Sequence, residues 1–169
     1  MKKIFISLVS LLVFTSCVLH VYRFTSVNYN NSRISISAGL VNSEDEKSPV
    51  EYIGVSDVRS NVNTPHKVTI LSSTIKIIDS NNKEYIAKTN SNSGYIHIYK
   101  QGVVITDDFK AYIGKVQLDD GTIIDIPPLS FKKTVYVERY SVISDTINAG
   151  GRGKEIFSGT VEDYKKQKK

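Results

Sequence analysis

Histidine, cysteine and carboxylate side chains are the groups in this sequence that could do chemistry, and their spacing limits what they can do. The 169 residues include His20, His66 and His97, and neither an HxH nor an HExxH pattern links them. Because the chain also has a single Cys, we predict no metal site and no cofactor. The sequence contains neither a GxSxG nucleophile elbow nor a GxxxxGK[ST] phosphate loop, so we expect a protein that is not an enzyme.

Neighbouring carboxylates have simple structural explanations. Residues 107–108 and 119–120 are Asp pairs, and adjacent residues of a strand point to opposite faces, so neither pair forms a catalytic dyad by itself. The second pair precedes Gly121 between two β-branched runs, which predicts a hairpin turn. Residues 44–46 (EDE) lack the alternate-oxygen spacing of calcium loops and are predicted to form a solvated acidic loop.

The segment YIHIY, residues 95–99, is the strongest candidate for a binding surface. Period-two alternation places Tyr95, His97 and Tyr99 on one face of a strand, with the intervening isoleucines facing the core. Tyrosine combines a large contact area with a polar tip, so this face is a candidate for binding a partner. The alternative is an ordinary solvated strand face covered by neighbouring side chains.

The N-terminus has the organisation of an export signal. Residues 1–3 (MKK) are positively charged, residues 4–14 (IFISLVSLLVF) are apolar, and residues 15–17 (TSC) follow. The single Cys therefore lies where the apolar stretch gives way to small residues. This arrangement resembles the bacterial lipoprotein precursor class, whose lipobox ends in a Cys. The resemblance implies cleavage before Cys17, diacylglycerol on its sulfur and an acyl chain such as palmitate on the new amino terminus.

The anchor and its location have alternatives. Residues 4–22 contain no Lys, Arg, Asp or Glu and approach the roughly 20 residues that span a bilayer, so an uncleaved single-pass helix in the inner membrane is the alternative. For a lipoprotein of a Gram-negative host, Val18 rather than Asp after the Cys implies the outer membrane, facing the periplasm. In a Gram-positive host the same signal implies the outer face of the cell membrane.

The charge of the chain excludes one class of partner. The net charge of +5 falls to +3 in a chain that begins at Cys17, because Lys2 and Lys3 are removed and 20 − 17 = 3. Lys and Arg are scattered along the sequence except at its end, so no nucleic-acid partner is predicted. Residues 165–169 (KKQKK) are predicted to be a solvated basic tail, with contact to anionic lipid headgroups or an acidic partner as the alternative.

Turn residues divide the remaining chain into short β-branched segments. Examples are RISISAGLV at 33–41, KVTILSSTIKIID at 67–79 and TVYVERYSVI at 134–143. Such segments, with neither a long helix nor βαβ alternation, predict an all-β immunoglobulin-like antiparallel sandwich, with a small β-barrel as the alternative. The predicted organisation is a signal peptide over 1–16, a lipidated Cys and tether over 17–32, the β-sandwich domain over 33–164 and the basic tail over 165–169.

These features predict a lipid-anchored cell-envelope protein that acts as a non-enzymatic binding module, in the manner of accessory or immunity-type lipoproteins. Its predicted partners are the membrane, through the lipid, and a protein or other envelope component. The alternative is an envelope hydrolase or carbohydrate-active protein. A pocket that unites His66 or His97 with carboxylates would favour that alternative.

Overall fold

The structure is a computed structural model that describes residues 16–27, 29–90, 93–141 and 153–168. Strands make up 55% and helices 7% of the described residues. The helices are a 3₁₀ turn, η1 (Tyr99–Gln101), and α1 (Val161–Gln167). The strands are β1 (Ser16–Val27), β2 (Ile34–Leu40), β3 (Val50–Asp57), β4 (Val68–Ile70), β5 (Thr74–Asp79), β6 (Glu84–Lys88), β7 (Tyr95–His97), β8 (Phe109–Tyr112), β9 (Gly114–Leu118), β10 (Ile123–Ile126), β11 (Leu129–Ser141) and β12 (Lys154–Thr160).

The described strands form two antiparallel sheets. The larger has nine strands in the order β6-β5-β8-β11-β1-β2-β3-β7, with β12 paired to β11, and it is nearly a barrel. The smaller has the order β10-β9-β4. The predicted all-β fold is therefore confirmed, and its form is consistent with the predicted sandwich or small barrel.

Period-two alternation explains how the strands bury one face. In β5, Ile75 and Ile77 are 1% and 0% exposed, whereas Lys76 between them faces outward. Buried aromatic rings join neighbouring strands: Phe109 of β8 stacks on Phe131 of β11 with ring centroids 4.7 Å apart. Burial of such side chains contributes about 1.5–3 kcal/mol each, so the alternating segments are held with their apolar face inward.

The hairpin predicted at residues 119–121 connects β9 to β10. Gly121 has φ 84°, in the left-handed region that glycine adopts without a steric penalty, and its N–H donates to the carbonyl of Leu118 at 3.0 Å. The Asp120 carboxylate accepts from the backbone N–H of Thr122 at 2.9 Å. This turn places Asp119 and Asp120 side by side at the end of the smaller sheet.

Gln101 links the two strands at the ends of the nine-strand order, β6 and β7. Its side-chain oxygen accepts from the backbone N–H of Lys88 at 2.7 Å. Its side-chain nitrogen donates to the carbonyls of Lys88 and His97 at 3.0 and 3.1 Å. One amide side chain thus supplies the donor and the acceptor that a neighbouring strand would supply to these edges.

The chain divides into two compact units, with boundaries inside β1 and β11. One unit spans residues 22–134 and contains the core contacts, the hairpin and the Gln101 link given above. The other unit comprises residues 1–21 and 135–169, and its described part includes β12 and α1.

Helix α1 belongs to the second unit. Thr160 caps it by accepting from the backbone N–H of Asp163 at 3.1 Å. The Tyr164 hydroxyl is 2.7 Å from His20 Nε2. Lys165 and Lys166, which were predicted to lie in a separate tail, belong to this helix, and Lys166 pairs with Glu162 at 2.8 Å.

The N-terminal predictions can be compared with the structure only from Ser16 onward, since residues 1–15 lie outside the described residues. The predicted tether over 17–32 differs from the structure because residues 16–27 form β1. Tyr22 and Phe24 alternate with Arg23 and are 9% and 3% exposed, so they bury an aromatic face in the core. The folded region therefore begins upstream of the predicted boundary at residue 33. Among the described residues, no helix has the length and apolar character needed to cross a membrane.

Candidate functional site

The structure places two of the three predicted stripe residues on one strand face. Tyr95 and His97 face outward from β7, while Ile96 and Ile98 are 1% and 0% exposed. Tyr99, the third predicted stripe residue, is also exposed but lies beyond β7, which ends at His97, and it begins η1. A role for these residues in partner binding stays a prediction.

Tyr52 of β3, which sequence reasoning missed, completes an aromatic cluster beside β7. Its ring makes T-shaped contacts with Tyr95 and His97, with centroids 5.5 and 6.1 Å apart. We call Tyr52, Tyr95 and His97 the aromatic face. Such pairs contribute about 0.5–1.5 kcal/mol beyond the area that they bury.

Glycines allow these rings to lie against the sheet. Gly39 is opposite Tyr52, and Gly54 is opposite Tyr95, in the strand registers. A Cβ atom on Gly39 would lie 2.4 Å from the Tyr52 ring, and one on Gly54 would lie 2.7 Å from the Tyr95 ring. A glycine inside a strand signals close approach of another group, so these two residues are the sequence signal that could have revealed the aromatic face.

A groove of about 380 Å³ adjoins the aromatic face. Tyr95 and His97 line one side, and Lys88 and Lys100 add positive charge. The described residues of the lining, none of them acidic, are Lys88, Thr89, Asn90, Ser93, Tyr95, Ile96, His97, Lys100 and Gln101. The groove therefore combines ring surfaces, polar groups and cations.

A second cluster, of charged side chains, forms where β3 ends beside the β9–β10 hairpin. The Arg59 guanidinium donates two hydrogen bonds to the Asp57 carboxylate, from Nε to Oδ1 at 3.0 Å and from Nη2 to Oδ2 at 2.6 Å. His66 Nδ1 is 2.6 Å from Asp119 Oδ2, and Arg59 Nη2 is 3.3 Å from Asp119 Oδ1. Arg33 pairs with Asp120 at 2.5 Å, and we call these six residues the charge cluster.

The electrostatics of the charge cluster centre on Asp57. The Asp57 side chain is 0% exposed. The Arg59 guanidinium lowers the pKa of this carboxyl to about 2, although burial opposes the change. At Asp120, hydrogen bonds from Thr122 and Arg33 also hold the pKa well below its ordinary value. These carboxylates therefore stay ionised at neutral pH.

The charge cluster contains a set of groups that could ligate a metal ion. One ligand atom from each of Asp57, His66 and Asp119 lies within 4.8 Å of the others. However, Arg59 already contacts both carboxylates, so an entering cation would have to displace a guanidinium. The arrangement favours an ion-pair network that ties the end of β3 to the hairpin.

His66 in the charge cluster also bears on the hydrolase alternative. The hydrogen bond to Asp119 orients the imidazole as it would in a general base. Among the contacts of the described residues, the ring meets no hydroxyl nucleophile, and the Ser60 hydroxyl instead accepts from the His66 backbone N–H at 3.0 Å. His66 therefore contacts a carboxylate, which is one part of what the hydrolase alternative requires, and its contacts among the described residues lack the third group of a triad.

The predicted acidic loop at 44–46 contacts a buried lysine of β11. Lys133 is 7% exposed, and its ammonium donates to the carbonyl oxygens of Glu46 and Thr106. It also lies 5.2 Å from the Phe24 ring centroid. Burial lowers the pKa of Lys133, and the surrounding carboxylates, led by Asp107, oppose that shift. The Lys133 ammonium thus connects one carbonyl of this loop, that of Glu46, to the carbonyl of Thr106.

Cys17 is a free cysteine near the start of β1, and it is exposed to solvent. Fold and surface together define an all-β protein with an exposed aromatic face, a basic groove and a separate charge cluster. No known protein family, curated protein or solved structure matches the chain.

Proposed function

We propose that this protein is a lipid-anchored, non-enzymatic binding module of the cell envelope, facing the periplasm if the host is Gram-negative. The observation that carries the binding role is the aromatic face with its groove. Tyr95 remains 45% exposed although its ring packs on Tyr52. Rings that are held rigidly and still face solvent lose little conformational entropy when a partner covers them.

Capture from solubilised envelopes tests the binding role. The bait is the tagged full chain in detergent, as wild type and as Tyr95→Ala with His97→Ala. Tyr99→Ala is the matched control, because this tyrosine has a similar exposure of 43% but lies off the strand. We expect the double variant to lose a stoichiometric envelope component that wild type and control retain. Equal capture by all three would remove the aromatic face from the proposal.

Anchoring through Cys17 is supported by the signal-like N-terminus and the exposed thiol. Several acyl chains give stable membrane attachment, whereas one gives marginal binding. Metabolic labelling with a radioactive fatty acid tests this directly. We expect Cys17→Ser to abolish labelling, and unchanged labelling would favour an uncleaved N-terminal helix.

An envelope hydrolase is the second candidate, and the His66–Asp119 hydrogen bond is the observation in its favour. The arginines on the carboxylates argue against it, because they engage the acceptors that a reaction would use. His66→Ala separates the two functions. A hydrolase loses turnover of its substrate, whereas the binding module keeps its envelope component.

A further inference from the structure

Four lysines on neighbouring strands of the larger sheet face away from the core. They are Lys88 of β6, Lys76 of β5, Lys110 of β8 and Lys132 of β11, here called the lysine row. Period-two alternation directs them outward, because the residues beside them in their strands are buried. Those buried residues are Ala87, Ile75, Ile77, Phe109, Ala111, Phe131 and Lys133.

The strand register arranges the lysine row as a diagonal. Lys88 is opposite Thr74, so Lys76 lies one strand over and two residues further along β5. Lys110 is opposite Ile78, which again is one strand over and two residues beyond Lys76. Lys132 lies two residues beyond Ser130, the partner of Lys110 in β11, and the direction is the same. Diagonal neighbours across antiparallel strands are about 7–8 Å apart at the backbone, so the four lysines are attached at regular steps across four strands.

Three carboxylates lie near the lysine row. Glu84, at an outward position of β6, is 3.4 Å from Lys76 Nζ, which also lies 4.7 Å from the Tyr112 ring centroid. Asp79 and Asp108 line a cavity beside Lys110 and Lys132, and each accepts a backbone N–H at 2.9 Å. With Lys100 of the groove, five lysines stand against these three carboxylates, so the surface keeps a net positive charge.

The lysine row continues into the groove beside the aromatic face. Lys88 belongs to both, since it ends β6 and lines the groove with Lys100. The Gln101 side chain joins the carbonyls of Lys88 and His97, which holds this end of the row against β7. Ring surfaces and a line of cations thus form one continuous surface within the unit over residues 22–134.

We propose that this surface binds a linear anionic glycan, with a sugar ring on Tyr95 and its carboxylate or phosphate groups along the lysine row. The C–H face of a sugar packs on an aromatic ring while its hydroxyls stay hydrated, and an ammonium is a natural partner for an anionic oxygen. A single evenly spaced row fits a chain better than it fits a flat bilayer. The inference rests on the proposed function, because the cell envelope is where such glycans occur.

Binding to immobilised glycans tests the inference, with the full chain in detergent. The probes are polygalacturonate and phosphomannan, whose sugar rings carry carboxylate and phosphate groups respectively, with uncharged dextran and single-stranded DNA for comparison. We expect Lys76→Gln, Lys110→Gln and Lys132→Gln together to weaken binding of an anionic glycan on the order of 100-fold, at about five-fold for each charge. Affinity should also fall as salt screens the contacts.

A second triple variant separates the lysine row from net charge. Lys47→Gln, Lys67→Gln and Lys115→Gln remove the same charge from other positions and should change binding by less than two-fold, with circular dichroism to check folding of both variants. Equal losses in the two triple variants would overturn the inference. Tighter binding of single-stranded DNA, or binding of neither anionic glycan, would overturn it too. In either case, Tyr95-dependent capture of an envelope protein would still support the proposed function.

Discussion

Replacement of Arg59 by Met should make the protein less stable in a way that depends on pH. Arg59 is the side-chain partner that holds both oxygens of Asp57, a carboxylate that is 0% exposed. Methionine keeps the length of the side chain but leaves this buried negative charge without a cation. A buried charge that has lost its partner is strongly unfavourable.

The pKa of Asp57 gives the magnitude. A decrease from the ordinary 3.8 to about 2 corresponds to about 2 kcal/mol of folding free energy. Because the pKa is lowered in the folded state, this stabilisation is fully present above pH 3.8 and is lost as the pH falls through about 2. We therefore expect Arg59→Met to lower the free energy of unfolding by about 2 kcal/mol at pH 7, and the deficit to shrink between pH 4 and pH 2.

Urea unfolding at pH 7, 5, 3 and 2 measures this difference. Arg23→Met is the matched control, since Arg23 is exposed and its loss should change stability by less than about 0.5 kcal/mol. Asp57→Asn combined with Arg59→Met completes a double-mutant cycle that isolates the pair from the nearby His66, Asp119 and Asp120. Equal losses in the two arginine variants at pH 7, or a deficit that persists unchanged at pH 2, would refute the reasoning.

Three further substitutions test other parts of the fold. Gln101→Met removes the acceptor of the Lys88 N–H and the donors to two edge carbonyls and should cost about 1 kcal/mol in urea unfolding, with faster amide exchange at Lys88; unchanged exchange would contradict the link. Lys133→Met should lower stability by about 1–3 kcal/mol, because two carbonyls lose their donor, and a thermal midpoint equal to wild type would argue against this role. Gly54→Ala should displace the Tyr95 ring and cost about 1 kcal/mol, visible as changed ring resonances; an unmoved ring would contradict the close packing.

Local pattern predicted the turn and several strands, but the segment at 67–79, which reads as one strand, forms β4 and β5 in different sheets. Ile96 and Ile98 are buried as the alternation in YIHIY predicts, and the turn at residues 119–121 forms as its Asp and Gly predict. The pattern failed where a strand ended early, since Tyr99 continues the alternation in sequence but begins a 3₁₀ turn. It also failed at Tyr22 and Phe24, because a short aromatic alternation stands inside what reads as a tether.

The sequence by itself determined that the chain forms strands and which residues of those strands face inward or outward. These properties depend on residues that are close along the chain, where periodicity can be read directly. Only the tertiary structure decided that Tyr52 packs on Tyr95 and that Arg59 and Asp57 form an ion pair beside the hairpin. It also decided which lysines lie in one row across the larger sheet. The reason is that β5, β8 and β11 are neighbours through long-range pairing, so cations that are scattered in sequence share one face of the sheet.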